Sequence, residues 1–214
     1  DYIAANNNLN EAQVLDFLDS TNNKEISAEE LFYFVSSMRK YSRRVITEEF
    51  ITDSCGTGAD MSSTINISTI SAIAASTLGL KLIKQTNSSI TSACGSTNLL
   101  KELNIPVVKT PEEAVRDFKK NGIAFVHSPN FNGFAEINNI YRQKLGKKTI
   151  FNYLGPLINP SFPEAQLLGV SSSAMRPKIA EVLLRLGAKR ALVVNSKNPN
   201  MDEISLCAET DVTA

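Results

Sequence analysis

The sequence has no tryptophan, one histidine and only three cysteines among its 214 residues. The cysteines, Cys55, Cys94 and Cys207, are odd in number and far apart, which argues against a disulfide framework and against a zinc site. We therefore expect small free thiols that are buried or half-buried. His127 follows an apolar segment, so we interpret it as a half-buried, hydrogen-bonded ring and not as a catalyst.

A charge bias and long apolar runs are also missing. The 22 basic residues equal the 22 acidic residues, whereas a nucleic-acid-binding domain usually has a strong basic excess. No apolar run approaches the roughly 18 residues of a membrane span, and no signal peptide is recognisable. We expect a cytoplasmic protein that has neither a membrane nor a nucleic acid as its partner.

The two ends of the sequence carry little structural signal. The first residue is Asp1 and not a methionine, and the final stretch "AETDVTA" shows no closing helix or strand. We therefore expect a fragment with structure missing at both ends. The length fits one large domain or two unequal ones.

The first recognisable feature is a pair of helices within residues 10–41. Apolar residues recur there at helical spacing. Ser27 followed by Glu30 has the form of a capping box, which predicts the start of the second helix. We expect a helical hairpin.

After Val45, short apolar runs alternate with helix-like segments, a pattern typical of βαβ crossovers and a parallel sheet. Four runs are predicted as buried central strands: "ITDSC", "LKLIKQ", "GIAFVHS" and "RALVVNS". Residues 138–160 break this rhythm, and we interpret them as helices that return to the hairpin. The predicted fold class is α/β, with a parallel-sheet domain and flanking helices (48–137 and 166–214) plus a small discontinuous helical domain (1–47 and 138–165).

The stretch "DSCGTGADMSSTINIST" joins a predicted strand to a predicted helix. Gly56 and Gly58 can take a positive φ and let a ligand approach the backbone closely. The start of the helix adds unpaired N–H groups, and several hydroxyls follow, so the stretch suits a phosphate or a diphosphate. It has neither the G-x-G-x-x-G spacing nor the Walker lysine, and by itself it fits a structural turn equally well.

Two further polar clusters follow predicted strands. "KQTNSSITSACGST" begins with Lys84, which is a candidate phosphate contact at a strand end, although most lysines are surface residues. In "NPNMDEIS", Asp202 and Glu203 could hold Mg²⁺, which takes one or two carboxylates plus substrate phosphate. Because ligands of α/β sheets bind at the carboxyl ends of the strands, we expect the three clusters to meet there.

These clusters, taken with "RQKLGKKTIFNYLGPLINP" and "QLLGV" in the same order, resemble the anthranilate phosphoribosyltransferases of the tryptophan pathway. The similarity runs from about Leu9 to the last residue. It implies a nucleoside phosphorylase/phosphoribosyltransferase-like fold and Mg²⁺-dependent transfer of the phosphoribosyl group from phosphoribosyl diphosphate to anthranilate. It also implies a homodimer joined through the helical domains, and a chain without the family's first helix and the C-terminal part of its large domain.

The resemblance assigns residues to three groups. The first group would contact phosphoribosyl diphosphate and consists of Gly56, Thr57, Gly58, Asp60, Thr64, Asn66, Ser68, Thr69, Lys84 and Ser96. Mg²⁺ would be held by Ser68, Asp202 and Glu203. The path of the aromatic amine acceptor would be lined by Asn87, Arg142 and Pro156, and an arginine there can meet the substrate carboxylate.

The sequence departs from the family mainly on the acceptor side. Gln85 and Asn132 stand where the family has histidines, Ala59 replaces a glycine, and Asn98 replaces an aspartate. A related transferase with another acceptor therefore stays open. So does a non-catalytic relative that binds nucleotide or nucleic acid, and so does the architecturally related pyrimidine nucleoside phosphorylase.

Residues 19–30 offer an unrelated alternative, because they mimic a calcium-binding loop. Asp19 stands at the first position and Glu30 at the twelfth, but Lys24 occupies the sixth, where the sharp turn needs glycine. This broken single copy gives calcium binding little support.

Overall fold

A computed structural model of the protein describes residues 11–22, 24–58, 60, 64–87, 95–133 and 150–214. The helices in these ranges are α1 (Glu11–Asn22), α2 (Ala28–Lys40), α3 (Ile67–Thr77), α4 (Ser96–Glu102), α5 (Pro111–Asn121), α6 (Ser128–Phe131), α7 (Phe151–Leu154) and α8 (Met175–Arg185). A 3₁₀ turn, Gly155–Ile158, continues α7. The strands are β1 (Thr52–Gly56), β2 (Leu82–Thr86), β3 (Ile123–His127), β4 (Ala165–Gly169), β5 (Arg190–Ser196) and β6 (Thr210–Thr213).

The strands of the described ranges form one sheet in the order β3-β2-β1-β4-β5-β6. The prediction that "GIAFVHS" is a central strand is wrong, because β3 is the first strand in this order, although its middle residues are buried. Strands β1 to β5 are parallel, so the predicted parallel sheet is confirmed. Their carboxyl ends, and the loops that follow them, therefore share one edge.

Two predictions about the end of the chain are wrong. Residues in "AETDVTA" do form an element, because β6 pairs antiparallel with β5, for example Val212 with Val194. Strand β5 is not buried along its whole length. Leu192 is 45% exposed, whereas Val193 and Val194 after it are 0% and 2% exposed.

The predicted helical hairpin is present. The capping box at the start of α2 is confirmed: the Ser27 hydroxyl accepts a hydrogen bond from the Glu30 N–H at 3.1 Å, and the Glu30 carboxylate accepts one from the Ser27 N–H. Leu31 and Val35 of α2 pack with Val14 and Leu18 of α1. Both helices thus bury the apolar face that the helical spacing predicted.

The apolar core of the hairpin continues into the rest of the protein. The same cluster contains Leu154 and Leu157 from the α7 region, Leu168 of β4 and Ile179 of α8. The expected return of the residues before Pro160 to the hairpin therefore holds for the part that the structure describes. The division into two domains stays a prediction, because one cluster runs through both.

The calcium-like segment is not built as a calcium loop. Residues 19–22 end helix α1, and the Glu30 carboxylate accepts hydrogen bonds from the Lys24 ammonium and from the Ser27 N–H. The carboxylate that would close a calcium site is thus engaged in capping α2.

The cysteines agree only partly with expectation. Cys55 is half-buried, and burial raises the pKa of its thiol well above the ordinary value, with the charge of Asp53 adding to the effect, which supports a packing role. Cys207 is exposed, contrary to prediction, because it lies in the loop before β6. Cys94 lies outside the described residues. Over the ranges given above, no helix is long and apolar enough to cross a membrane.

Candidate phosphate and metal site

The glycine-rich loop begins where β1 ends. Gly58 has a φ of +67°, as predicted for a turn that side chains disfavour. Gly56 is the last residue of β1, and the close approach that it permits is to another part of this chain. A Cβ added to Gly56 would lie 2.3 Å from Oδ2 of Asp202.

The loop after β5 packs directly onto β1 and β4 through Asp202. A Cβ on Gly169, at the end of β4, would lie 1.6 Å from the carbonyl oxygen of Asp202. The Gly58 N–H donates a hydrogen bond of 2.5 Å to Oδ2 of Asp202, and the Asp202 N–H donates one of 3.3 Å to Oδ2 of Asp60. The first and third predicted clusters therefore meet.

Side chains at the end of β5 hold this loop in place. The Asn195 side-chain amide donates to the Val170 carbonyl at 2.7 Å and to Oδ1 of Asn200 at 2.8 Å. The Ser196 hydroxyl donates to the Glu203 carbonyl at 2.5 Å. Asp202 and Glu203 are thus fixed relative to the sheet edge.

Lys84 brings the second cluster to the same place. It is only 2% exposed, so the alternative of a surface lysine is excluded. It is the middle residue of β2 and does not lie at the strand end, as the sequence had predicted, because β2 continues to Thr86. Its ammonium donates to the Ser54 carbonyl and, at 3.2 Å, to the Ser68 hydroxyl in the first turn of α3. Because Ser68 also borders Glu203, the lysine links β1, β2, α3 and the loop after β5.

The site carries an excess of negative charge. Burial, reinforced by the charges of Asp60 and Glu203, raises the pKa of Asp202 to about 7 despite the hydrogen bond from the Gly58 N–H. Burial also raises the pKa of Glu203. Lys84 and the Ser68 N–H oppose this shift but do not cancel it. Three carboxylates that disfavour one another's ionisation are a suitable environment for a cation.

The available ligands fit Mg²⁺ better than a metal that needs a closed protein cage. Among the described residues, no three His, Cys, Asp or Glu side chains are grouped so that they alone could hold a metal ion. The hard oxygen donors of Asp202, Glu203 and Ser68 instead line an open cavity of about 180 Å³. Mg²⁺ typically uses one or two carboxylates and completes its shell with water and phosphate oxygens.

Other predicted phosphate contacts lie around the same loop. Thr64 is exposed, and Asn66 directly precedes α3. Thr57 and Thr69 are 8% and 1% exposed. The Thr57 hydroxyl accepts a hydrogen bond of 3.1 Å from the Ser171 N–H, so it connects the loops after β1 and β4. The Thr57 backbone N–H donates to the Gly169 carbonyl at 2.9 Å, so the Thr57 N–H and hydroxyl both hold the loops after β1 and β4 together.

The loop after β2 is described only at its two ends. The Asn87 N–H donates to the Ser96 hydroxyl at 3.3 Å, and the Thr97 hydroxyl donates to that of Thr86 at 3.2 Å. These contacts close the loop at the start of α4. Of the predicted acceptor residues, Asn87 follows β2, Pro156 is buried in the 3₁₀ turn, and Arg142 lies outside the described residues.

The sequence analysis missed a polar layer between the 3₁₀ turn and the sheet. Asn159 donates from one amide nitrogen to Asp53, at 2.8 Å, and to the Ile83 carbonyl, at 2.7 Å. Gln166 and Gln85 donate to the carbonyls of Pro156 and Gly155 at 2.8 and 3.0 Å. The charged Asp53 inside the predicted buried strand "ITDSC" was the signal that could have revealed this layer.

Comparisons with known proteins identify the family to which this architecture belongs. Residues 48–214 match the family described as "Glycosyl transferase family, a/b domain". An anthranilate phosphoribosyltransferase from Bacillus caldotenax is 34% identical over 202 residues, which are 94% of this chain and 83% of that protein. The chain belongs to the anthranilate phosphoribosyltransferase family. The family resemblance of the sequence motifs is thereby confirmed.

Further members of this family extend the similarity. The anthranilate phosphoribosyltransferase of Geobacillus sp. (strain WCH70) is 39% identical over 201 residues, 94% of this chain and 59% of that protein. The crystal structure of the enzyme from Thermus thermophilus superposes with a TM-score of 0.87 at 30% identity, over 95% of this chain and 61% of that chain. The chain thus spans about three-fifths of the length of these members.

Two structures of variants of the Saccharomyces cerevisiae anthranilate phosphoribosyltransferase are also similar, each at 26% identity. One has Mg bound, with a TM-score of 0.82 over 97% of this chain and 58% of that chain. The other is a complex with 4-fluoroanthranilate, with a TM-score of 0.79 over 94% of this chain and 56% of that chain.

The buried carboxyl of Asp53 predicts a pH-dependent stability. Asp53 is fully buried, and burial raises its pKa above the ordinary 3.8 although Lys84 and Asn159 oppose the shift. A carboxyl with a raised pKa binds its proton more tightly in the folded state than in the unfolded state. The free energy of unfolding therefore falls as the pH rises from about 3.8 through the folded pKa.

Asp53→Asn should remove this part of the pH dependence, since asparagine does not titrate. Urea unfolding between pH 4 and pH 8 measures it as the difference between wild type and variant. We expect the free energy of unfolding of the variant to increase relative to that of the wild type as the pH rises. A difference that stays constant across the series would contradict the argument.

Proposed function

We propose that the protein transfers the phosphoribosyl group of phosphoribosyl diphosphate to anthranilate, in a Mg²⁺-dependent reaction that releases diphosphate. The observation that carries this proposal is the convergence of Gly58, Lys84 and the Asp202–Glu203 pair at one sheet edge. Membership of the family supports it, as do the Mg and 4-fluoroanthranilate bound by the yeast variants.

The diphosphate is the leaving group, and its developing charge needs stabilisation. The Gly58 N–H and the N-terminus of α3 present partial positive charge to it. Lys84 adds a full positive charge that is already removed from water, so its attraction to the leaving group is strong and needs little reorganisation. The remaining proposed contacts, including Ser96, would position the ribose phosphate.

The divalent cation would be held by Asp202, Glu203 and Ser68. When bound, Mg²⁺ supplies further neutralisation of the diphosphate charge. Within the chain, Lys84 and the Ser68 N–H favour the ionised form of Glu203 and so oppose the burial that raises its pKa.

The acceptor would approach along Asn87, Arg142 and Pro156. An aromatic amine has its lone pair available, so it can attack C1 of the ribose without a general base if it is well positioned. Asn87 lies three residues beyond Lys84, at the carboxyl end of the same strand.

A different acceptor is the second candidate, and Gln85 is the reason. Its side-chain nitrogen donates to the Gly155 carbonyl at 3.0 Å, while its buried Oε1 has no hydrogen-bond partner among the described residues. A buried unpaired oxygen suits any acceptor that brings an N–H or O–H group, the amine of anthranilate included. Gln85 in place of the family's histidine therefore opens the site to other acceptors without excluding anthranilate.

The test is the loss of anthranilate fluorescence in the presence of phosphoribosyl diphosphate and Mg²⁺. We expect turnover with Mg²⁺ and none in excess chelator. Glu203→Ala should raise the Mg²⁺ concentration needed for half-maximal rate about tenfold, because Asp202 and Ser68 remain. The exposed Glu209→Ala is the matched control and should leave this concentration unchanged.

Other outcomes of the same test are equally informative. Calorimetric binding of phosphoribosyl diphosphate with Mg²⁺ but no consumption of anthranilate would select the second candidate. An absence of both binding and turnover would contradict the proposal.

We also propose a cytoplasmic homodimer that associates through the helical part, residues 1–47 and 138–165. The family resemblance of the sequence implies this assembly, and Tyr33 and Ile46, which are 61% and 70% exposed, give the helical part apolar surface. Sedimentation over a range of concentrations tests the assembly. A monomer at every concentration would contradict it.

A further inference from the structure

The N–H group that best suits a phosphate oxygen is already used within the chain. Gly58 lies two residues beyond the end of β1 and has a positive φ, and its N–H donates to Oδ2 of Asp202. This backbone N–H donates directly to a carboxyl oxygen, which is the contact that a phosphate oxygen would make at the same position. In this arrangement a carboxylate of the protein holds the position of a ligand anion.

Asp202 packs closely against the ends of β1 and β4. It is 7% exposed, and its carboxylate fills the space that Gly56 leaves by having no side chain. Its backbone fills the corresponding space over Gly169. Two backbone hydrogen bonds join Ser196 to Met201 and so fix the residue that directly precedes Asp202.

The charged groups around Asp202 repel its carboxylate. Asp60 and Glu203 are the charged neighbours that act on Asp202, and both are acidic. No lysine or arginine of the described ranges forms an ion pair with it. The Gly58 N–H is therefore the main attraction that the structure offers to the Asp202 carboxylate, and a divalent cation would offer a stronger one.

We propose that Asp202 occupies the Gly58 amide as an internal anion until a divalent cation draws the carboxylate away, so that the amide becomes accessible to diphosphate only after the metal has bound. This inference rests on the proposed function and concerns the order of binding at the same site. Asp202 thus acts in two ways: it competes with the diphosphate without metal and binds the metal that assists the diphosphate.

The inference differs from simple bridging of the diphosphate by the metal. Bridging alone makes metal and diphosphate binding mutually favourable. An internal competitor adds a separate effect, because removing it strengthens diphosphate binding when no metal is present. The sign of the Asp202 effect therefore reverses between metal-free and metal-loaded protein.

The experiment is calorimetric titration with inorganic diphosphate at pH 8, where most of Asp202 is ionised, in chelator and then in saturating Mg²⁺. In chelator, Asp202→Ala should bind diphosphate about tenfold more tightly than wild type, since one charge-assisted hydrogen bond no longer competes. In Mg²⁺ the same variant should bind more weakly than wild type. Glu203→Ala removes a neighbouring negative charge but no hydrogen bond to Gly58. Its affinity for diphosphate in chelator should exceed the wild-type affinity by no more than about threefold.

Two results would overturn the inference. One is an Asp202→Ala affinity in chelator that equals the wild-type value. The other is an equal gain in both variants, which would show general repulsion and not occupation of the amide.

A second measurement needs neither substrate nor variant. The Gly58 amide proton of the wild type should resonate far downfield, and Mg²⁺ alone should move it upfield. A signal that stays in place at saturating Mg²⁺ would overturn the inference even if the enzyme turns over. Movement of the signal without any turnover would support the role of Asp202 at the Gly58 amide and contradict the proposed phosphoribosyl transfer.

Discussion

Lys84→Met is expected to lower the turnover of phosphoribosyl diphosphate about 100- to 1,000-fold, the range seen when one preorganised donor to a developing negative charge is removed. The Lys84 ammonium is 2% exposed and contacts the Ser54 carbonyl and the Ser68 hydroxyl. Methionine has nearly the same length but carries no charge, so it tests the charge and not the volume. The measurement is kcat/KM for phosphoribosyl diphosphate at saturating Mg²⁺.

Folding has to be followed in the same variant, because Lys84 also opposes the raised pKa of Asp53. We expect a lower melting temperature, but a folded protein at the assay temperature. Lys81→Met is the matched control: Lys81 is exposed and precedes the same strand, so its loss should leave kcat/KM within about twofold. A folded Lys84→Met enzyme with near wild-type kcat/KM would show that the ammonium does not act on the diphosphate.

Gly169→Ala is expected to weaken Mg²⁺-dependent diphosphate binding at least about 100-fold, although Gly169 lies in a strand and carries no functional group. The new Cβ would be 1.6 Å from the Asp202 carbonyl oxygen and 2.4 Å from its carbonyl carbon. These are backbone atoms, so the whole loop with Asp202 and Glu203 must move. A displacement of about 1 Å at a reacting site can reduce the rate about 100-fold. We expect a comparable loss of affinity here, because both proposed Mg²⁺ ligands leave their positions.

Calorimetry with diphosphate and Mg²⁺ measures this effect, and circular dichroism follows the fold. Gly155→Ala is the control, since Gly155 has helical dihedral angles and a Cβ there would meet nothing within 4 Å. Its diphosphate affinity should equal that of the wild type. If Gly169→Ala binds diphosphate with wild-type affinity, the close packing of Asp202 over Gly169 is not required for binding.

The meeting of the three polar clusters could be predicted from the sequence because it follows from topology alone. Once β1, β2 and β5 are parallel strands of one sheet, the residues after them must share an edge. Gly58, Asn87 and Glu203 follow these strands, so the topology alone is enough to predict that they lie at one edge. The capping box of Ser27 and Glu30 was likewise predictable, since it depends only on neighbours in the chain.

The contacts of Asp202 were not predictable in this way. Its position depends on the room over Gly56 and Gly169, and these residues become neighbours only through the pairing of β1 with β4. The burial of Lys84 has the same origin, because the sequence of β2 does not state what covers it. Strand β6 was missed because "TDVT" has little apolar pattern and becomes a strand by pairing with β5.

The central claim is that the loops after β1, β2 and β5 bind one phosphoribosyl diphosphate together. Hydrogen–deuterium exchange with and without phosphoribosyl diphosphate and Mg²⁺ tests it most directly, because it locates binding in solution whether or not transfer follows. We predict simultaneous slowing of exchange in the peptides that contain Gly58, Asn87 and Glu203. Slowing elsewhere, or in only one of these three peptides, would contradict the claim.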